Sequence, residues 1–89
     1  MTTPPTAAEI EPLVHAYVRR EFLPDASDAA LERTTSLIGG GVLSSIALVK
    51  LVSHLENRFG VRFAAHEISE EYLDTVAAIA ARIAGKLAA

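Results

Sequence analysis

The sequence predicts an all-α protein: a small antiparallel four-helix bundle with three main helices, a short third helix and a long first loop. Three observations predict this. Apolar residues recur at helical spacing in three separate stretches. No stretch shows the alternation of period two that a half-buried strand needs. Half of the residues are hydrophobic (51%), but Ala and Leu dominate them and aromatics reach only 6%, a composition that favours helices around a thin core.

Residues 1–6, with Pro4 and Pro5, read as a flexible lead-in, and residues 7–87 as one domain. Ile10, Leu13, Val14, Tyr17, Val18 and Phe22 follow the pattern of a first amphipathic helix. Thr6 and Glu9 have capping-box spacing, but Pro12 removes an amide donor. This helix is therefore expected either to start late, near Glu11, or to bend in its first turns. Residues 24–43 form the long connection, and a loop of that length in so small a domain is often functional. Leu31, Leu37, Ile38 and Leu43 are expected to pin it to the core, with a short helical turn around Asp28–Arg33. The second main helix is expected over 44–59, its stripe of Leu48, Val52, Leu55 and Phe59 widened by Val49 and Leu51. Gly60 fits a left-handed C-terminal cap. Residues 61–63 read as an extended link and 65–68 as a one- or two-turn helix. Asp74 is the expected N-cap of a last helix with the stripe Val76, Ile79, Ala80, Ile83 and Leu87.

A chain of 89 residues is better suited to presenting or binding something than to enclosing a deep catalytic pocket. It has no cysteine, which excludes disulfides, thiol nucleophiles and thiolate zinc sites. Eight basic residues against eleven acidic ones give a net charge of −3, which argues against a nucleic-acid surface. No apolar run reaches membrane-spanning length, and the first residues lack the regions of a signal peptide. The expectation is a soluble, cytoplasmic monomer with no nucleic-acid or membrane partner.

The most informative stretch is Gly39-Gly40-Gly41-Val42-Leu43-Ser44-Ser45-Ile46. Flexible glycines lead straight into two serines at the start of a helix. There a phosphate ester would be favoured by unpaired N–H groups and the positive end of the helix dipole. On this octet alone, the alternative is that Ser44 is simply an N-cap and Ser45 a first-turn residue. Catalytic uses of the serines find no support. No phosphate loop or nucleophile elbow is present. His54 lies nine residues beyond Ser45, about 13 Å along the helix and on another face. His15, His54 and His66 have no metal-ligand spacing and read as solvated or rim residues. Glu67, Glu70 and Glu71 cluster around the short third helix, either as an acidic docking spot or as a solvated face.

Three landmarks in order and spacing resemble the acyl and peptidyl carrier protein family, whose members bear 4′-phosphopantetheine. Gly41-Val42-Leu43-Ser44-Ser45-Ile46 resembles the family's Gly-x-x-Asp-Ser-Leu attachment motif. Leu55-Glu56-Asn57-Arg58-Phe59-Gly60 resembles the Leu-Glu-x-x-Phe-Gly that ends its second helix. Glu67-Ile68 through Leu73-Asp74-Thr75-Val76 resembles its short third helix and the Thr-Val opening of its fourth. The resemblance covers residues from about 8 to 85. It also chooses between the serines: the family's modified serine stands fourteen residues before that phenylalanine, which is Ser45 when counted from Phe59. Ser44 then occupies the usual aspartate position, where it keeps the ability to cap but lacks the charge that transferases contact. Modification is accordingly expected to be slower or to need a particular transferase.

The resemblance implies a free-standing carrier, not an enzyme. A phosphopantetheinyl transferase, using coenzyme A and Mg²⁺, would attach the arm to Ser45. The arm's thiol would hold an acyl, aminoacyl or hydroxyacyl group as a thioester for acyl-loading and acyl-accepting enzymes. Ile46 and Val49, beside the attachment point, are the apolar contacts expected for partners, with Lys50, Glu67, Glu70 and Glu71 around them. Fatty-acid carriers present an acidic second helix, whereas this one offers Lys50, His54, Glu56 and Arg58. That departure argues against ordinary fatty-acid synthesis, and the Gly-Val-Leu-x-Ser form with the Leu73-Asp74-Thr75-Val76 ending resembles carriers of secondary metabolism of the polyketide or peptide type, including antibiotic biosynthesis. The competing reading is a small helical interaction domain, or a degenerate carrier, with no prosthetic group.

Overall fold

The computed structural model describes residues 3–24 and 31–88. Helix α1 spans Ala7–Phe22, α2 Ser45–Phe59, α3 Glu70–Leu73 and α4 Val76–Ala88, and Ala65–Glu67 form a 3₁₀ turn. This is the expected small all-α bundle, and no strand occurs among the described residues.

Helix α1 begins earlier than Pro12 suggested. The capping box forms: the Glu9 N–H donates to Thr6 Oγ1 (3.3 Å) and the Thr6 N–H to Glu9 Oε1 (3.0 Å). Thr6 therefore belongs to the helix as its cap. Pro12 is tolerated because the amide it lacks would have paired with the Ala8 carbonyl, and both residues lie on the exposed side, within reach of water. The buried stripe is Ile10, Val14, Tyr17 and Val18, and it packs along the stripe Val76, Ile79, Ala80 and Ile83 of α4.

Leu51, Val52 and Leu55 of α2 complete the core, together with Val61 and Phe63 of the extended link that follows. Gly60 ends α2 in the left-handed conformation expected (φ 69°), its N–H donating to the Glu56 carbonyl. Leu48 and Phe59 are only partly buried and Val49 is exposed, so the buried face of α2 centres one residue away from the expected stripe.

The long connection is pinned as expected by Leu31, Leu37 and Leu43, with Ile38 partly buried against them. The helical turn expected around Asp28–Arg33 falls mostly on residues 25–30, outside those described. His15 Nε2 lies 2.7 Å from the Leu31 carbonyl, and Arg33 forms a two-pronged pair with Glu11 at 2.8 and 2.9 Å. Backbone bonds from Leu37 N–H to the Asp74 carbonyl and from Ala77 N–H to the Arg33 carbonyl stitch the loop to the start of α4.

One local expectation is extended and another corrected. The turn expected over 65–68 forms as the 3₁₀ turn Ala65–Glu67, and after an extended Ser69 a separate one-turn α3 follows, beyond the expected span. Asp74 does not cap α4. Thr75 does so, its hydroxyl accepting from the Ala78 N–H at 3.0 Å, because the Asp74 carboxylate is engaged elsewhere.

Candidate functional site

The first turn of α2 is assembled from the glycine loop and its clasp. Ser44 is the N-cap, with extended backbone (φ −74°, ψ 173°) and a hydroxyl accepting from the Ala47 N–H at 3.2 Å. Ser45 is therefore the first helical residue, and its side chain is exposed. Its amide belongs to the first-turn N–H groups that have no intrahelical acceptor, and no acidic residue stands in that turn. An anionic phosphodiester is electrostatically welcome there.

Asp74 holds the approach to this turn. Its carboxylate accepts from Ser36 Oγ (2.8 Å) and from the N–H groups of Ile38 (2.8 Å) and Gly39 (3.0 Å). These bonds, led by that of Gly39 and opposed by desolvation, hold the Asp74 carboxyl below its ordinary pKa. Gly40 packs against the same turn so tightly that an added Cβ would lie 2.2 Å from the Ser36 carbonyl oxygen. Gly41, at φ 81°, then turns the chain into Val42 and Leu43. Sequence reading missed this role of Asp74. The available signal was the Asp74-Thr75 pair: two good caps stand side by side where one helix can use only one.

The expected partner residues are distributed unevenly. Ile46 is 84% exposed and Val49 62% exposed, the two most exposed large hydrophobics described. Lys50 is exposed beside them and leans toward α1, its Nζ 3.4 Å from Glu21 Oε2 and 6.0 Å from the centre of the Phe22 ring. Glu70 and Glu71 are also exposed. Glu70 Oε1 sits over the glycine loop, 2.5 Å from where a Cβ on Gly39 would fall. Glu71 lines a recess between α3 and α4 with Tyr72 and Arg82.

Glu67 does not share that surface. It is buried, with Oε1 accepting from Lys86 Nζ and the Ala64 N–H, both at 2.8 Å, while Oε2 lies 3.5 Å from Arg82 Nε. The Lys86 bond above all, then that of Ala64, keeps its carboxyl below the usual carboxylate range. The acidic cluster expected of three residues is thus divided between an internal clamp and two outward carboxylates.

The histidines lie apart from the serines. His54 stacks on Tyr17, with ring centres 3.6 Å apart and planes at 7°, while His66 meets the edge of Tyr72. No cluster of metal-ligating side chains occurs among the described residues.

Residues 19–83 match the family model described as "Phosphopantetheine attachment site", and the chain belongs to that family of carrier proteins. No curated protein matches it at a significant level. As a member it bears covalently attached 4′-phosphopantetheine and is a carrier, not an enzyme. It works with a transferase and with biosynthetic enzymes, as carriers do. The residues present fit the group, since α2 opens on an exposed hydroxyl with free first-turn amides and no competing carboxylate. No helix among the described residues is long and apolar enough to cross a membrane.

Proposed function

We propose that Ser45 is the attachment residue, in a carrier of secondary-metabolite biosynthesis of the polyketide or peptide type. Residues 7–87, with Thr6 as the cap of α1, are the carrier unit, the residues before Thr6 lead into it, and the protein works as a cytoplasmic monomer. The observation that supports the site best is the division of labour between the two serines. Ser44 spends its hydroxyl on capping α2, whereas Ser45 presents its own to solvent from the first helical position. A transferase needs such an oxygen, free to displace the nucleotide of coenzyme A at phosphorus with Mg²⁺ present. The arm, when bound, supplies the thiol that holds an acyl, aminoacyl or hydroxyacyl group as a thioester. This chain has no cysteine to compete with it.

The chain's own residues supply position and recognition. Asp74 and Gly40 hold the loop that delivers Ser45. Ile46 and Val49 offer partners an apolar patch beside the arm, with exposed Lys50 next to them in the helix and the outward carboxylates of Glu70 and Glu71 as further contacts. Glu67 stabilises the 3₁₀ turn at Ala65–Glu67 instead of touching partners. The mixed charge of α2 separates this carrier from the acidic-faced carriers of fatty-acid synthesis.

Intact mass after co-expression with a broad-specificity transferase tests the site. The parent protein and Ser44→Ala should each gain one phosphopantetheine, and Ser45→Ala none. Modification that persists in Ser45→Ala but disappears in Ser44→Ala would move the site by one residue.

A further inference from the structure

The second half of α2 carries a feature that the attachment chemistry does not use. Between α1 and α2 lies a cleft of about 190 Å³. Its floor is the Tyr17–His54 stack, and Leu13 and Phe59 add apolar surface. Leu13 is 45% exposed, unusual for a leucine on the side of a helix that faces a neighbour.

Two arginines line the same cleft. Arg20 lies 5.8 Å from the centre of the Tyr17 ring, and Arg58 lies 5.4 Å from that of Phe59. Among the described residues Arg58 has no ion pair, and Arg20 pairs only with Glu21 of its own helix, at 3.7 Å. A chain of net charge −3 thus presents two under-compensated guanidiniums over an apolar recess.

We infer that this cleft is a second docking site, receiving a short acidic segment of a partner protein that carries an apolar anchor. The occupant follows from the lining. Carboxylates complement Arg20 and Arg58, and an apolar side chain covers Leu13 and Phe59. A polyanion such as nucleic acid is disfavoured by the net negative charge and gains nothing from the apolar floor. His54 and Arg58 stand nine and thirteen residues beyond Ser45, about 13 and 20 Å along the helix axis. A partner held there leaves Ser45, Ile46 and Val49 free for another enzyme. The site therefore provides tethering without occupying the attachment face. It does not depend on which serine bears the arm.

His54 supplies a built-in reporter. Burial, then Arg20 and Arg58, hold its imidazole below the ordinary value of 6.5, with Glu21 opposing. The groups facing it are Tyr17, Arg20 and Glu21 from α1, with Arg58 and Lys50 one turn to either side on α2. Carboxylates seated on the two arginines offset their field, so occupancy raises the His54 titration midpoint.

The test is a titration of the isotope-labelled full chain with a capped peptide, Asp-Glu-Leu-Phe-Glu-Asp, followed by NMR. Saturable shifts should centre on Leu13, Tyr17, Arg20, His54 and Arg58, and the His54 midpoint should rise on saturation. The charge-reversed pair Arg20→Glu, Arg58→Glu should weaken binding by about tenfold or more. Leu13→Ala, an exposed change that leaves folding intact, should weaken it several-fold. Ser45→Ala should bind normally, which separates this site from the attachment site. The inference is overturned by an absence of saturable shifts up to millimolar peptide, or by shifts centred on Ile46 and Val49. Undiminished binding in the charge-reversed variant overturns it too, as does equal binding of the lysine-for-acid peptide or of a single-stranded oligonucleotide.

Discussion

Over its first five residues α2 exposes Ser45, Ile46 and Val49 and is fixed by the Ser44 cap and by a polar clasp on the loop before it. From Leu51 onward it is fixed by burial: Leu51, Val52 and Leu55 are in the core, and Tyr17 stacks on His54. The difference is one of range as well as chemistry. Apolar burial holds a helix strongly but hides its side chains. Hydrogen bonds to the backbone hold a loop in place while leaving its neighbours accessible. A segment that must be offered to a succession of enzymes is better held in the second way.

The largest effect should come from the buried half. Leu51→Ala should cost about 2–5 kcal/mol by denaturant unfolding, because the cavity sits in a fully enclosed core. If the loss is instead under 1 kcal/mol, the anchoring of α2 has been misread.

Asp74→Ala comes next. It strands the N–H groups of Ile38 and Gly39, and should cost about 1–3 kcal/mol. It should also slow modification of Ser45 at temperatures where the variant is fully folded, and speed amide exchange at Ile38 and Gly39. Unchanged exchange there would remove the clasp from the account.

Acidification acts on the same polar devices. The Asp74 and Glu67 carboxyls are both depressed in the folded state. Their contribution is complete above the ordinary values of 3.8 and 4.5 and is lost as pH falls through the lower folded values. His54 is also depressed, but it is a base. The unfolded chain takes up its proton first, so stability declines as pH drops through 6.5. Melting temperature should therefore fall in two stages between neutral pH and about pH 3. His54→Gln should remove the upper stage, and Glu67→Gln should shrink the lower one.

The smallest stability effects belong to the presented turn. Ser44→Ala should lose about 1 kcal/mol, the worth of a cap. Ser44→Asp should keep the cap and speed modification, since it restores the charge missing at that position. Ile46→Ala and Val49→Ala should change stability by no more than about 0.5 kcal/mol. Their effect should fall on transfer to partner enzymes, measured as a raised KM.

The sequence alone determined what depends on neighbours along the chain. Periodicity located α1, α2 and α4, and single residues located both ends of α2: Ser44 by its cap hydroxyl and Gly60 by its left-handed turn, whereas Pro12 masked the capping box that starts α1 at Thr6. The turn proposed for attachment was legible as a glycine loop running into a capped helix start, because those residues are consecutive, while the choice of Ser45 over Ser44 came from the family resemblance. Tertiary structure decided what depends on residues far apart in sequence. Asp74 reaches Ile38 across 36 positions, and that engagement leaves the cap of α4 to Thr75. Glu67 turns inward because α4 brings Lys86 and Arg82 to it, which no local pattern announces. Tyr17 meets His54 because α1 and α2 happen to turn those faces together. Backbone propensity and capping are properties of a few adjacent residues. The partner of a carboxylate or an imidazole is set by how whole helices pack, and only the packed chain reveals it.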